Sequence, residues 1–225
     1  MALINNTDVV TNGLVFCLDA ANIKSYPGSG TTWTDLSRSR NNSTLQNGAS
    51  FDSGLMGSIV FDGVDNEVII NSTTGFPVGT SAGTMCAWAK RTVDVSSTSW
   101  IISYGTATAN QSRFLGIFSG SYLFGGFGPD GTYISASGPV VDTWFNIVGV
   151  WSGTQGSMYI NGNLVAGPTT MSWNTVASTA QLGKQTNNTE FWKGNIAQAS
   201  MYNRALTASE ILRNYSSLKE RFGHT

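Results

Sequence analysis

The sequence is poor in charged residues. Of its 225 residues, 11% are Asp, Glu, Lys or Arg, and the formal net charge is −1. Binding to a nucleic acid backbone requires a basic surface, so nucleic acid is not expected as a partner. No apolar run approaches the roughly 18 residues of a membrane-spanning helix, so membrane insertion is not expected either. The N-terminal segment MALINNTDVV lacks the cationic and apolar regions of a secretory signal.

Residues suited to nucleophilic or metal chemistry are also scarce. The two cysteines, Cys17 and Cys86, lie in apolar, strand-like runs, which indicates buried, reduced thiols and folding in a reducing cytosol. Two cysteines provide neither a disulfide framework nor a zinc site. The single histidine, His224, is next to the C-terminus and is expected in an exposed tail. A Ser-His-Asp or Cys-His site would therefore lack its base.

The sequence shows no paired carboxylates of the kind that glycoside hydrolases place about 5 to 10 Å apart. It contains four glutamates, no two of them close in sequence, and no E-x-D-x-E pattern. The nearest approach to an acidic cluster is Asp62, Asp65 and Glu67, where Asp62-Gly63 is typical of a turn. We therefore expect neither enzymatic activity nor a cofactor.

What the chain does contain is a series of short strand-like runs separated by Gly, Asn, Ser and Pro, which is the pattern of an all-β protein. The pair Asn161-Gly162 predicts a tight hairpin turn. The predicted strands are Leu14–Asp19, Ser58–Phe61, Glu67–Asn71, Thr84–Lys90, Trp100–Tyr104, Arg113–Ser119, Tyr122–Gly126, Tyr133–Ala136, Phe145–Trp151, Ser157–Ile160, Asn163–Val165, Thr179–Leu182 and Asn195–Tyr202.

One strand and one helix predict how the outside of the β-structure is covered. Alternate residues of Phe145–Trp151 are apolar on both faces, which is typical of a core strand whose outer face is also covered. A short helix is predicted to follow, because Thr207 and Glu210 fit a capping box and Gly223 fits a helix end. The apolar stripe of this helix, at helical spacing, is Ile211, Leu212, Tyr215 and Leu218.

Five stretches cover nearly the whole chain with a family-like pattern: GLVFCLDAANIKSYPGSGTTWTDLSRSRNNSTLQNG, IVFDGVDNEVII, TMCAWAKR, WFNIVGVWSGTQGSMYINGNLV and the C-terminal GKQTNNTEFWKGNIAQASMYNRALTASEILRNYSSLKERFG. They resemble laminin-G-like, concanavalin-A-like jelly-roll domains. The resemblance implies an all-β, two-sheet antiparallel sandwich with a short C-terminal helix. Residues 1–12 are then an N-terminal arm, 13–223 the jelly-roll domain and 224–225 a tail. Trp33, Trp88, Trp144 and Trp151 are expected in the core, while Trp100 and Trp173 are undecided.

Many laminin-G-like domains bind calcium at the rim of the sandwich, and this resemblance makes Asp62, Asp65 and Asn66 candidate ligands, with Asp19 as a partner. Calcium requires six to eight oxygens, usually including several carboxylates. The alternative is that these side chains accept hydrogen bonds from turn amides. Ala197 and Gln198 stand where the family motif usually has acidic residues, which favours the alternative. We therefore expect no bound metal.

Two loops, 104–113 and 184–193, combine aromatic rings with amide and charged groups, which suits sugars because sugars have apolar faces and hydroxyl rims. The candidate glycan-binding residues are Tyr104, Asn110, Arg113, Asn187, Asn188 and Trp192. The alternative is a pair of ordinary polar loops with Trp192 packed inward.

The pattern LDAANIKSYPGSGTTW…DLS…NN resembles a laminin-G-like subtype common in bacteriophage and bacterial surface proteins. This resemblance implies a non-enzymatic virion surface component, either a head decoration protein or a tail or fibre protein, folded in the host cytoplasm and exposed on the particle. Its expected partners are other virion proteins and cell-surface glycans. The alternative is a free-standing lectin or adhesion module, extracellular or on a cell surface. The sequence leaves open whether the chain forms homo-oligomers.

Overall fold

The structure, a computed structural model, describes residues 9–92, 98–128, 133–186 and 190–225. The strands of these residues are, in chain order, β1 (Leu14–Asp19), β2 (Thr32–Trp33), β3 (Ser43–Gln46), β4 (Ser50–Asp52), β5 (Ser58–Asp62), β6 (Glu67–Ile70), β7 (Gly83–Arg91), β8 (Ser99–Gly105), β9 (Ser112–Phe118), β10 (Ser121–Gly125), β11 (Tyr133–Ala136), β12 (Trp144–Ser152), β13 (Gln155–Ile160), β14 (Asn163–Thr170), β15 (Ala180–Leu182) and β16 (Lys193–Tyr202). Short 3₁₀ turns cover Gly54–Met56 and Lys219–Phe222, and helix α1 covers Ala208–Ser216.

The strands form two antiparallel sheets. Sheet A has the order β14-β13-β12-β7-β16-β5-β4, and β1 continues alongside β16 beyond the end of β5. Sheet B has the order β11-β10-β9-β8-β15-β6-β3-β2. Neighbouring strands are often distant in sequence, as expected when a chain crosses repeatedly between the two layers of a jelly roll. The predicted fold class, a two-sheet antiparallel sandwich with a short C-terminal helix, is confirmed.

The main core lies between the two sheets. It consists of aliphatic and aromatic side chains from the inner faces of both sheets, including Phe16, Phe61, Ile102, Phe124 and Trp151. Of the tryptophans expected in the core, Trp33 and Trp151 lie in it, whereas Trp88 and Trp144 are buried in a separate cluster with Leu218 and Phe222. Trp173, undecided from the sequence, packs edge-on against Phe124 in the main core.

The outer face of sheet A is covered by the C-terminal region. Ile211 of α1 packs on Val148 and Val150 of β12, which explains why both faces of that strand are apolar. Further along, Phe222 stacks on Trp88 with ring centroids 4.1 Å apart. The predicted covering of this strand is therefore confirmed, and the helix lies across a sheet face rather than along an edge.

The start of α1 matches the prediction. The hydroxyl of Thr207 accepts a hydrogen bond from the backbone N–H of Glu210, and the Glu210 carboxylate accepts one from the backbone N–H of Thr207. Arg204 donates two hydrogen bonds to the same carboxylate and is the main reason that the pKa of Glu210 is lowered to about 2. In the predicted apolar stripe, Leu212 is an exception, because half of its surface is exposed.

Two terminal predictions need correction. His224 is not in a free tail: its imidazole is half-buried, within 3.0 Å of the Tyr215 hydroxyl and 2.9 Å of the Trp144 carbonyl. The predicted arm, residues 1–12, also extends too far, since Val10 is buried and accepts a hydrogen bond from the Tyr202 hydroxyl. Residues 1–8 lie outside the described residues. No helix in the described part of the chain is long and apolar enough to cross a bilayer.

Candidate functional site

The structure places three of the six predicted glycan-binding residues in the interior. Tyr104, Arg113 and Trp192 have no exposed surface. The Tyr104 hydroxyl donates to the Pro77 carbonyl at 2.8 Å, and Trp192 joins the main core. A side chain without exposed surface cannot contact a sugar, so these three residues form no part of a surface site. The inward packing of Trp192 follows the alternative considered above.

Arg113 has an unusual environment for a charged residue. Its guanidinium lies 4.1 Å from the Trp173 ring and 5.6 Å from the Trp151 ring, and it donates one hydrogen bond to the Ser112 carbonyl. Burial lowers its pKa to about 9, which leaves the side chain charged at neutral pH. Its role is therefore to pack the interior as a cation held by aromatic faces.

The remaining predicted glycan residues form no cluster in the described structure. Asn110 is half-buried in the turn between β8 and β9, where its backbone has a positive φ of 66°. Its backbone N–H donates to the Phe127 carbonyl and its own carbonyl accepts from Asn174. Asn187 and Asn188 lie outside the described residues.

The candidate calcium ligands are occupied by hydrogen bonds and an ion pair within the chain. Asp62 accepts from the backbone N–H groups of Val64 and Asp65, and Asn66 accepts from that of Asp62. Asp19 pairs with Arg221 at 2.8 Å. These contacts match the alternative in which the side chains accept hydrogen bonds from turn amides instead of binding calcium. Across the described ranges, no three His, Cys, Asp or Glu side chains come together in a way that could hold a metal ion.

The acidic cluster near β6 is likewise dispersed. Glu67 does not face Asp62 or Asp65 but forms a buried ion pair with Lys184, with 2.8 Å between the charged atoms. Glu210 caps α1, as described above. The described residues thus place none of these carboxylates beside a second one in a cleft.

An exposed aromatic surface lies on the outer face of sheet B, the sheet that α1 does not cover. A groove of about 290 Å³ is lined there by Trp100, Phe114, Phe118, Phe127 and Tyr133, which we call the aromatic groove. Trp100 and Phe114 form its floor, with ring centroids 4.2 Å apart, and each is no more than 5% exposed. Phe118 and Tyr133 form its rim, and they are 46% and 43% exposed.

The geometry of sheet B explains why these rings share one face. In β9, Leu115 and Ile117 point into the core, so the alternate residues Phe114, Gly116 and Phe118 point outward. Gly116 pairs with Trp100 of β8 and leaves room for the indole, since a Cβ there would lie 2.6 Å from Trp100 Cε3. The absence of a side chain at Gly116 therefore lets Trp100 lie flat on the sheet.

The polar groups at the groove are few. The lining includes two uncharged polar side chains, Thr98 and Gln185, and one acidic side chain, Glu190. No Lys or Arg is among the described residues that line the groove. The Glu190 carboxylate, which is half-buried, accepts a hydrogen bond from the Trp100 indole N–H. A mostly apolar concavity with a small number of polar groups is the usual composition of a small-molecule site.

Sequence reasoning missed the aromatic groove but had part of the signal. The alternation of Phe114, Gly116 and Phe118 was present in the predicted strand Arg113–Ser119. Trp100 could not be assigned to a face, because a bulge between Trp100 and Ile102 interrupts the alternation of β8.

Solved structures with the same fold belong to much longer proteins. A sialidase of Trypanosoma rangeli in complex with sialic acid superposes with a TM-score of 0.69 at 17% identity, over 95% of this chain and 34% of the sialidase. The binding domain of Paraclostridial Mosquitocidal Protein 1 gives a TM-score of 0.70 at 15% identity, over 94% of this chain and 55% of that one. The binding domain of botulinum neurotoxin serotype D gives 0.66 at 14%, over 92% and 52%. The chain thus spans about a third to about half of these proteins, and at such identities the likeness shows the fold alone.

The family assignment comes from the sequence. No curated protein matches the chain significantly. The family model of the concanavalin A-like lectin/glucanases superfamily, in its laminin-G-like form, matches residues 62–212, which is more than half of the chain and includes strands of both sheets and the start of α1. The chain therefore belongs to the concanavalin A-like lectin/glucanases superfamily.

Proposed function

We propose that the protein is a non-enzymatic recognition domain that binds glycans in the aromatic groove. The observation that carries this proposal is the pair of exposed rings, Phe118 and Tyr133, above a floor of Trp100 and Phe114. Such rings offer apolar faces to the C–H face of a sugar, while the half-buried Thr98 hydroxyl at the groove can exchange hydrogen bonds with its hydroxyls. The lectin-like family gives independent support.

Several features support recognition without hydrolysis. Glu190 is the sole carboxylate among the described residues that line the aromatic groove. Hydrolysis by a pair of carboxylates would require a second one about 5 to 10 Å away. The likeness to a sialidase covers about a third of that enzyme, at 17% identity, and so carries no activity to this chain.

The setting that we propose is the surface of a bacteriophage particle, as a head decoration or a tail or fibre protein. Its support is the resemblance of residues 18–48 to the phage-associated subtype, together with the low charge of the chain. The partners would then be other virion proteins and host cell-surface glycans. A free-standing lectin or adhesion module is the alternative, and mass spectrometry of purified particles distinguishes the two, because a virion component must be present in them.

Glycan binding is tested with rim variants. A glycan array identifies a ligand, and titration calorimetry then compares Phe118→Ala and Tyr133→Ala with the unaltered protein. Both side chains are nearly half exposed and lie outside the main core, so the sandwich is expected to stay folded. We expect each variant to weaken binding roughly tenfold, equivalent to about 1.4 kcal/mol.

The matched control is Ile23→Ala, which removes a side chain that is 77% exposed outside the groove lining. It should leave binding unchanged. Equal affinity of the unaltered protein and both rim variants would show that glycans bind elsewhere, and binding to no glycan on the array would rule out the proposed function.

A further inference from the structure

Charge at the aromatic groove points to a particular class of glycan. Glu190 is its only charged lining residue in the described part of the chain. One carboxylate oxygen, Oε2, accepts the hydrogen bond from the Trp100 indole, and the other, Oε1, accepts none from the described residues. Among the described residues, the groove therefore presents one negative charge, an acceptor oxygen without a hydrogen bond and no lining cation.

The aromatic rings that surround Glu190 add to the negative electrostatic potential of the groove. The faces of aromatic rings carry partial negative charge, so a cation over such a face is stabilised, and more strongly when water is displaced. The groove's rings and the Glu190 carboxylate therefore attract the same sign of charge. A ligand with an acidic group would instead meet like charge and lose water from its carboxylate without compensation.

We infer that the aromatic groove selects an amino sugar with a free, protonated amine, which binds Glu190 while its ring rests on the Phe118 and Tyr133 rim. This inference rests on the proposed function and narrows its ligand class. It predicts the opposite preference from a site for acidic sugars such as sialic acid. The ammonium can donate to Oε1, which accepts no hydrogen bond from the described residues, so binding adds a charge-assisted hydrogen bond without breaking the bond to Trp100.

The test compares two oligosaccharides that differ only at the nitrogen: a β-1,4-linked glucosamine tetramer and its fully N-acetylated counterpart. Titration calorimetry at low salt should show the free amine bound about tenfold more tightly, and added salt should reduce this preference because screening weakens the ion pair. Sialyllactose, as an acidic probe, should bind more weakly than either.

The decisive variant is Glu190→Gln. A glutamine carbonyl can still accept from the Trp100 indole, so the groove keeps its shape while its charge is removed. We expect Glu190→Gln to lose the tenfold preference and to keep its affinity for the acetylated tetramer within about twofold. Glu220→Gln removes the same charge from an exposed position outside the lining and should keep the preference.

The outcomes separate this inference from the proposed function. If both tetramers bind equally, or the acetylated one binds more tightly, the preference for amines is refuted while glycan binding stands. If the Glu190→Gln variant keeps the preference for the free amine, another site is responsible for that preference and the inference is also refuted. If neutral and amino sugars both fail to bind in the groove, both proposals are refuted.

Discussion

At the scale of single residues, Arg113 tests how much aromatic packing can do for a buried charge. No carboxylate pairs with it among the described residues, and its Nε and Nη2 atoms have no hydrogen-bond partner there. Most of the compensation for its lost hydration must come from the rings of Trp173 and Trp151. A planar guanidinium can stack on a ring, whereas an ammonium is a compact and strongly hydrated charge.

The two substitutions Arg113→Lys and Arg113→Met are therefore expected to differ. Lysine keeps the charge but loses the stack, and we expect it to lower the free energy of unfolding by about 2 kcal/mol or more. Methionine removes the buried charge together with its dehydration penalty and should cost less than lysine. Urea unfolding at pH 7 measures both values. A lysine variant as stable as the methionine variant would mean that stacking contributes little.

Strand β8 shows why loop composition did not predict which aromatic side chains are exposed to a glycan. Tyr104 and Trp100 are four positions apart, so regular alternation would place both side chains on one face of β8. The bulge between Trp100 and Ile102 instead turns Trp100 outward and Tyr104 inward. A bulge depends on the pairing of β8 with β9, which a single sequence does not reveal.

At the scale of elements, the start of α1 offers a test with a matched control. Thr207→Ala removes the hydroxyl that accepts from the Glu210 N–H, and it should lower the free energy of unfolding by about 1 kcal/mol. Thr207→Ser keeps an acceptor oxygen and should cost a few tenths of a kcal/mol. Because Ile211 of the same helix packs on sheet A, the loss should appear in the global unfolding transition. Equal stability of the alanine and serine variants would contradict this role of the cap.

The elements also show what was predictable. All thirteen predicted strands are present, no end differs by more than five residues, and α1 begins where its capping box predicted. The strands β2, β3 and β4 were missed, since they are two to four residues long and rich in Ser and Thr, so they show little alternation. β3 and β4 pair with β6 and β5, which are far better defined by the sequence, and β2 in turn pairs with β3.

At the scale of the whole molecule, the sandwich is expected to bind no calcium at the turn that contains Asp62 and Asn66. Asp62 and Asn66 already accept backbone hydrogen bonds, and Asp19 is neutralised by Arg221. We therefore expect the melting temperature to be the same in EDTA and in millimolar calcium. A bound ion at a hundredfold excess over its Kd would add roughly 2.7 kcal/mol of stability. A melting temperature that rises clearly with calcium would thus contradict the prediction that these residues bind no calcium.

The stability of the whole sandwich should fall at alkaline pH because of its two thiols. Cys17 and Cys86 are buried and free, and burial raises the pKa of each from 9.0 to about 12. Between these values the unfolded chain releases thiol protons that the folded chain retains, so the unfolded state binds fewer protons and the free energy of unfolding decreases as pH rises. Each thiol contributes at most about 1.4 kcal/mol per pH unit in this range.

The check is a series of urea unfolding curves from pH 7.5 to about 10.5 in reducing buffer, for the unaltered protein and for Cys17→Ala/Cys86→Ala. The buried tyrosines Tyr104, Tyr122 and Tyr202, whose pKa values are also raised by burial, act in the same direction in both proteins. Only the thiol contribution differs between the two proteins, so the double variant should lose stability less steeply above pH 9. Identical slopes would mean that Cys17 and Cys86 ionise as easily in the folded state as in the unfolded chain, and their burial in sheet A would then have to be reconsidered.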